Sequence, residues 1–506
     1  MKSNRILRGL ALLLVALMST HTWGAPGTLN VVSVQPGLNR LNAPIGTSVT
    51  VTFDQPVNPA TINSSSFRVF GRWSGRAEGI FSFTNANQTV SFAPTVPFSA
   101  GENVLVVISH NVMASGGSPL RAAGYSWKFW TRARHACWDL VTIDTMSNHS
   151  NPPPGPQTRI YGALGSDLNN DGWLDITTIN EVSADLRVFL TRADGTGLYH
   201  PWLQPPSPGL TEISPNEAAD FNNDGNSDVC VCSSNTNKVL VYLGLGTGAF
   251  GSAQIINVGT APRGIAVLDF DGDGDLDIVN GNLDSSNVCR MTNNGAGVFG
   301  APVFFEGGVN GEYGCASADM DNDGILDIVV GGNSNQQMAV LRGNGNGTFS
   351  LLDTQSIGGP VWQVGTGDFN GDGWEDTHTP NRFNASGSIL RNTGVPGSNL
   401  LAPPQVMNYT GHIPASDCGD FDGDGDLDWV LSSYGGWKWG LFENNGAGVF
   451  SLNQEFPAPD NPACSTAMDI DNDRDLDLVL LDEIADVVIL KRNTSKIGDT
   501  NCDQSV

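Results

Sequence analysis

Basic residues are scarce in this 506-residue chain: 25 Lys and Arg stand against 52 Asp and Glu, for a formal net charge of −27. Such a balance repels a phosphate backbone and excludes nucleic acid as a partner. Long apolar runs are also missing. Beyond Met18 no segment reaches the roughly 20 apolar residues that a membrane helix needs. The eight cysteines (137, 230, 232, 289, 315, 418, 464 and 502) form no Cys-x-x-Cys framework with nearby histidines, which argues against zinc, and their spacing leaves any disulfide pairing open. Seven histidines make no local metal or triad motif, and no G-x-S-x-G elbow appears. His378, in "DTHTPN", reads as a surface residue. No carboxylate pair stands apart as acid and base, so no catalytic residue and no organic cofactor is assigned.

The chain begins with "MKSNRILRGLALLLVALMSTHTWGAPG": Lys2, Arg5 and Arg8, an apolar core from Leu10 to Met18, then small residues. Residues 1–24 therefore read as a signal peptide cut near Gly24–Ala25, which predicts a secreted, extracellular or cell-surface protein with no membrane span.

The dominant feature is a repeated acidic loop. The pattern D-x-[DN]-x-D-G-x-x-D starts at Asp167, Asp220, Asp269, Asp319, Asp368 and Asp420, and with one change at Asp469, at intervals of 49–53 residues. A fixed period in this range signals a repeat architecture. In "DFDGDGDLD", Asp269, Asp271, Asp273 and Asp277 supply hard oxygens at positions 1, 3, 5 and 9, Gly274 at position 6 permits the turn, and position 7 can add its carbonyl. Carboxylates this close repel one another without a cation, and Ca²⁺, which takes six to eight oxygen ligands, fits the set.

An EF-hand shares the opening of this pattern but needs Glu at position 12 and flanking helices. Position 12 here holds Thr178, Val231, Asn280, Val330, Thr379, Leu431 and Leu480. Each loop runs on into a β-like segment such as "DIVVGG" (327–332) and is entered from a segment rich in small residues, so the loop should join two strands. A second run such as "QMAVLRGN" leads to a glycine-rich turn ending in an aromatic residue, for example "NNGAGVF" (293–299 and 444–450). About four short strands per fifty residues is the content of one propeller blade.

On these motifs residues 137–492 resemble FG-GAP/VCBS repeats, a family of calcium-binding propeller blades. The resemblance implies an all-β chain: an Ig-like β-sandwich followed by a seven-bladed β-propeller over 137–493. It also implies Ca²⁺ ligands at Asp167, Asn169, Asp171 and Asp175; Asp220, Asn222, Asp224 and Asp228; Asp269, Asp271, Asp273 and Asp277; and Asp319, Asp321, Asp323 and Asp327. The later loops give Asp368, Asn370, Asp372 and Asp376; Asp420, Asp422, Asp424 and Asp428; and Asp469, Asp471, Asp473 and Asp477. Arg474 replaces the position-6 glycine of the seventh loop, which should be the weakest site.

The seventh repeat lacks a returning strand, whereas "CWDLVTIDTM" (137–146) belongs to no complete unit. This segment is expected to pair with residues 486–492 and close the last blade, because an open circuit would leave unpaired edges. Upstream, residues 28–132 alternate at Val49, Val51, Phe53 and at Val104, Val106, Ile108, indicating a β-sandwich that resembles bacterial Ig-like domains, most often spacers. The tail, 494–506, contains "GDTNCDQSV", similar to the opening of a dockerin loop; if the chain continues as a dockerin, a cohesin is its partner.

Two functions fit these features. The first is a noncatalytic module binding a glycan or protein at the cell surface, with Tyr434, Trp437 and Trp439 of "YGGWKWG" able to stack on a sugar. The second is a polysaccharide-degrading lyase or hydrolase using a propeller cleft. A basic cluster with a Tyr or His in one cleft would favour a lyase, and the scarcity of basic residues speaks against it.

Overall fold

Short runs of alternating or continuously apolar residues, punctuated by Gly, Asn and Asp turns, fold into strands throughout. The computed structural model describes residues 28–149, 157–210, 213–215 (backbone only), 219–395, 397, 399–495 and 502. The export signal read at 1–24 and most of the tail lie outside these residues.

Two sheets make the N-terminal domain. One orders Val31–Gln35, Val49–Phe53, Thr89–Pro94 and Gly79–Thr84; the other orders Arg40–Ala43, Tyr125–Thr131, Asn103–Ile108, Phe67–Gly71 and Gly75–Arg76. Val49, Val51 and Phe53 face Val104, Val106, Trp127 and Phe129 across an apolar core. The expected alternation fails in Asn103–Ile108, where Val107 is buried too. Its outward face packs on Ala219, Phe221 and Leu276 of the C-terminal region, so both faces of that strand are covered.

Seven further small sheets make up that C-terminal region. In each, a strand leads into an acidic loop and the next strand returns antiparallel, as in Glu312–Ala318 and Asp327–Gly332, with Ala318 opposite Asp327. Gln337–Gly343 and Phe349–Ser356 complete that sheet in sequence order. The strand after the loop is buried along its whole length in the sheets that begin Asp175, Asp277, Asp327, Asp376, Asp428 and Asp477. The first sheet has three strands, Ile160–Ser166, Asp175–Asn180 and Asp185–Phe189. The first strand of each sheet packs on that of the next, and Pro462–Met468 of the last packs on Ile160–Ser166 of the first.

The last sheet is completed from the other end of the region. Leu140–Ser147 pairs antiparallel with Val487–Asn493, Leu140 opposite Asn493 and Ser147 opposite Val487. The pairing expected for 137–146 is therefore present. A Cys137–Cys502 disulfide, spanning 365 residues, ties the start of this strand to the C-terminal tail.

Candidate functional site

The loop backbone is the same in every unit. Position 6 has positive φ throughout: +83° at Gly172, +91° at Gly225, +94° at Gly274, +76° at Gly324, +87° at Gly373, +104° at Gly425 and +81° at Arg474. Arg474 thus occupies the left-handed conformation that its Cβ disfavours by about 1–2 kcal/mol. In the first and last loops the turn folds the position-5 and position-6 N–H groups onto the first carboxylate: Asp171 N and Gly172 N donate to Asp167 at 3.1 and 2.9 Å, and Asp473 N and Arg474 N to Asp469 at 3.1 and 2.9 Å. In the third, Gly272 N at position 4 and Gly274 N donate to Asp269 at 2.8 and 2.9 Å.

Position 9 has a role the sequence did not reveal. Each of its two oxygens accepts a backbone N–H, one from position 2 and one from sixteen residues downstream; Asp277 takes Phe270 N at 3.3 Å and Asn293 N at 2.8 Å. Asp477 repeats this with Ile470 and Asn493. Each aspartate thus ties its loop to the end of the strand after its own, and Asn293 Nδ2 then reaches Phe221 O in the preceding unit at 2.7 Å. Oxygens so engaged retain lone pairs for a cation.

Position 3 divides the loops. Where it is Asn, its amide donates to the position-5 carboxylate: Asn169 to Asp171 at 3.0 Å, Asn222 to Asp224 at 2.9 Å and Asn370 to Asp372 at 2.8 Å. Where it is Asp, three carboxylates converge within 4.8 Å: Asp269, Asp271, Asp273; Asp319, Asp321, Asp327; Asp420, Asp422, Asp428; and Asp469, Asp471, Asp477. Burial, reinforced by the neighbouring charges, pushes Asp269 up to about 8 and Asp319, Asp327, Asp420, Asp428 and Asp477 well above the carboxylate range. Asp321 Oδ1, Asp420 Oδ1 and Asp471 Oδ1 are buried without a hydrogen-bond partner. An all-oxygen donor set with orphaned buried oxygens suits a hard divalent cation. Arginines from outside also meet these loops: Arg342 lies 2.8 Å from Asp321 and 2.6 Å from Asp323 in the fourth, and in the seventh Arg492 Nε lies 2.5 Å from Asp471 while Arg134 pairs with Asp473 at 2.9 Å and with Asp475.

The N-terminal domain and the segment just after it sit on these loops, together touching all seven; the reading of the domain as a spacer is corrected here. Trp73 O accepts Asp167 N at 2.9 Å. Arg76 reaches Asn223 O at 2.7 Å, Ser109 Oγ reaches Asp273 O at 2.7 Å, and Arg121 reaches both Asp323 O and Gly324 O at 2.7 Å. Asn39 donates to Gly373 O at 3.1 Å, Asn42 to Gly425 O at 2.9 Å, and Arg134 Nε to Asp473 O at 3.1 Å. These donors take carbonyls at positions 4, 5 and 6 and leave those of position 7, the expected ligand.

At the opposite end the first strands surround a cavity of about 690 Å³, floored by Arg72, Lys128 and Trp130 of the N-terminal domain. Its mouth is built from different repeats in one register. Tyr161, Arg263, Tyr313 and Trp362 each lie six residues before the first aspartate of a loop; Glu181, Arg382, Tyr434 and Glu483 lie fourteen after one. Tyr313 stacks on Trp362 with centroids 4.2 Å apart; Arg382 lies 3.2 Å from the Trp362 centroid and Arg263 5.2 Å from that of Tyr313. Arg382 Nε donates to His412 Nε2 at 2.7 Å. Burial and the adjacent guanidinium hold His412 down at about 4, so it remains neutral.

Other residues singled out in the sequence are placed differently. His378 is buried, not superficial: Trp429 Nε1 donates to its Nδ1 at 3.1 Å, and burial lowers its pKa to about 3. Of the three aromatics in "YGGWKWG", Trp439 is core, Trp437 is exposed and Tyr434 lines the mouth.

The FG-GAP-like repeat matches residues 167–231, 220–280, 269–330, 319–377 and 420–480, more than half of the chain. The chain belongs to the FG-GAP-like repeat family. A bacterial Ig-like domain matches residues 26–131. No curated protein matches. Similar solved structures include an Agrocybe aegerita lectin described as recognising non-reducing terminal N-acetylglucosamine (18% identity, 65% of this chain and 87% of that one, TM-score 0.42). A streptogramin B lyase (12%, 71% and 99%, 0.48) and an auxiliary nutrient binding protein from Bacteroides ovatus (12%, 92% and 97%, 0.40) are also similar. In this FG-GAP-like chain the loops and the mouth occupy opposite ends of the repeats.

Proposed function

We propose that this chain is an exported binding protein whose seven sheets are the blades of a β-propeller, whose loops hold Ca²⁺, and whose channel mouth takes a glycan or protein at the cell surface. The 25 carboxylates at the ligand positions are nearly half of all acids in the chain, and seven Ca²⁺ would offset 14 of those charges. With one charge set neutralised at the loop end, the other end is free to bind.

The observation that carries the reading is the mouth itself: aromatic rings and guanidiniums from several repeats converge on one cavity. Such a surface suits a ligand with flat apolar faces and polar edges. A lyase reading draws support from the same set, since Arg, Tyr and His here share one cleft. Against it, burial raises the Tyr161 and Tyr313 hydroxyls above their ordinary range, and His412 is committed as an acceptor to Arg382, so neither is poised as a base near neutral pH. A glycan array run beside a polysaccharide degradation assay tests the two: retention of a glycan without cleavage supports binding, and release of unsaturated or hydrolysed products overturns it.

A further inference from the structure

Five basic side chains line the cavity: Arg72, Lys128, Arg159, Arg263 and Arg382. Three carboxylates, Asp417, Glu181 and Glu483, line it with them. A surplus of positive charge is thus concentrated in one cavity of a chain whose net charge is −27. The carboxylates are already spoken for: Asp417 lies 3.3 Å from Arg72, Glu181 lies 3.6 Å from Arg159, and Glu483 also pairs with Arg159. Arg263 and Arg382 have no carboxylate within 4.0 Å among the described residues, and Arg263 Nε is buried without a hydrogen-bond partner. Each instead lies against an aromatic ring, Arg263 on Tyr313 and Arg382 between Trp362 and Phe383. Stacking fixes the plane of a guanidinium; with Nε of Arg382 given to His412, its two terminal nitrogens remain as the donor edge.

We propose that the mouth binds a saccharide chain bearing carboxylates, its acid groups on the Arg263 and Arg382 edges and a sugar face against Phe383. The inference rests on the binding reading above and names the ligand class of that same site. A guanidinium edge pairs a carboxylate through two parallel hydrogen bonds, which a neutral hydroxyl cannot match. Phe383, 65% exposed, offers a ring face beside those edges. The cavity is closed at its far end by Lys128 and Arg72, so a chain enters from the mouth and ends against further positive charge. Long-range attraction reinforces the contact, because low-dielectric walls concentrate the field of the cations.

Isothermal titration with trigalacturonate and with its methyl ester, at about 50 mM salt and in calcium, tests this on the whole chain. The acid should bind at least tenfold tighter than the ester. Arg382→Gln and Arg263→Gln should each weaken the acid at least tenfold and the ester less than threefold, with thermal melts showing that both variants are folded. Arg382→Lys, which keeps the charge without the two-pronged edge, should lie between. Equal affinity for acid and ester, or folded variants that bind like the parent, overturns the proposal while leaving a glycan-binding module in place. A hexa-aspartate peptide that displaces the acid and binds more tightly overturns the saccharide assignment. Absence of binding to any glycan or protein overturns the underlying reading as well.

Discussion

The two ends of the repeats are built from the same fifty-residue unit and carry opposite chemistry. At the loop end, carboxylates crowd together at fixed positions, and the N-terminal domain and the segment just after it span all seven loops. At the mouth, Arg263 and Arg382 stand without a carboxylate partner among the described residues, and the residue at a given register changes from unit to unit: Tyr161, Arg263, Tyr313 and Trp362 six before the loop, Glu181, Arg382, Tyr434 and Glu483 fourteen after. Repetition makes the scaffold, and departure from repetition gives the mouth its own chemistry. The N-terminal domain adds to the contrast, because its cations reach loop carbonyls and carboxylates on one side while Arg72 and Lys128 close the cavity from the other.

Opening the circuit should break both ends at once. Removing residues 137–147 takes away the strand that pairs with Val487–Asn493 and the Cys137 disulfide, exposing an apolar face of the last sheet. The expected result is loss of cooperative unfolding of all seven sheets by circular dichroism; a variant that melts like the parent would show that closure is dispensable.

A smaller change separates the ends. Arg134→Ala removes the partner of Asp473 and Asp475 and bonds to Asp473 O and Ser495 O. Leaving such carboxylates unpaired should cost about 3 kcal/mol in denaturant titration without calcium. Saccharide affinity at the mouth should stay within threefold.

Arg474→Gly sharpens the loop end. Relief of the +81° φ should stabilise the calcium-free protein by about 1 kcal/mol, and a calcium titration should show one site tightening. Unchanged stability and stoichiometry would contradict the assignment of the seventh loop as the weakest.

The smallest effect concerns the mouth and pH. His412 ordinarily titrates near 6.5 but is held at about 4 when folded, so the unfolded chain takes the proton first. Its contribution to stability is intact above pH 6.5 and is lost progressively as pH falls from 6.5 towards 4. In His412→Gln that part of the decline should be absent from Tm measured across the window, and above pH 7 the slopes of parent and variant should coincide.

Much of the fold was legible because local chemistry repeats. The aspartate spacing, the glycine turn and the β-branched runs specify a strand–loop–strand unit without reference to anything distant. The unpaired "CWDLVTIDTM" pointed to its partner because the seventh unit lacked a strand. Positive φ at Arg474 follows from register with six glycines. The features that escaped were non-local. Val107 breaks the sandwich alternation because a second domain covers it, and nothing in its own strand says so. His378 looked superficial beside a polar loop, yet its strand is buried on both faces. The mouth joins residues from different repeats with no shared motif; only aligning the units on the first aspartate and reading the columns six before and fourteen after would have found it.

The central claim, that the loops are held together by Ca²⁺ and the molecule depends on it, is tested most directly by scanning calorimetry of the whole chain in millimolar calcium and after chelation. At a hundredfold excess over Kd each occupied site contributes up to about 2.7 kcal/mol. Four loops that each gather three carboxylates should together shift Tm by roughly 10–20 °C, with the N-terminal domain unfolding in the same transition. A Tm that does not move on chelation would contradict the account.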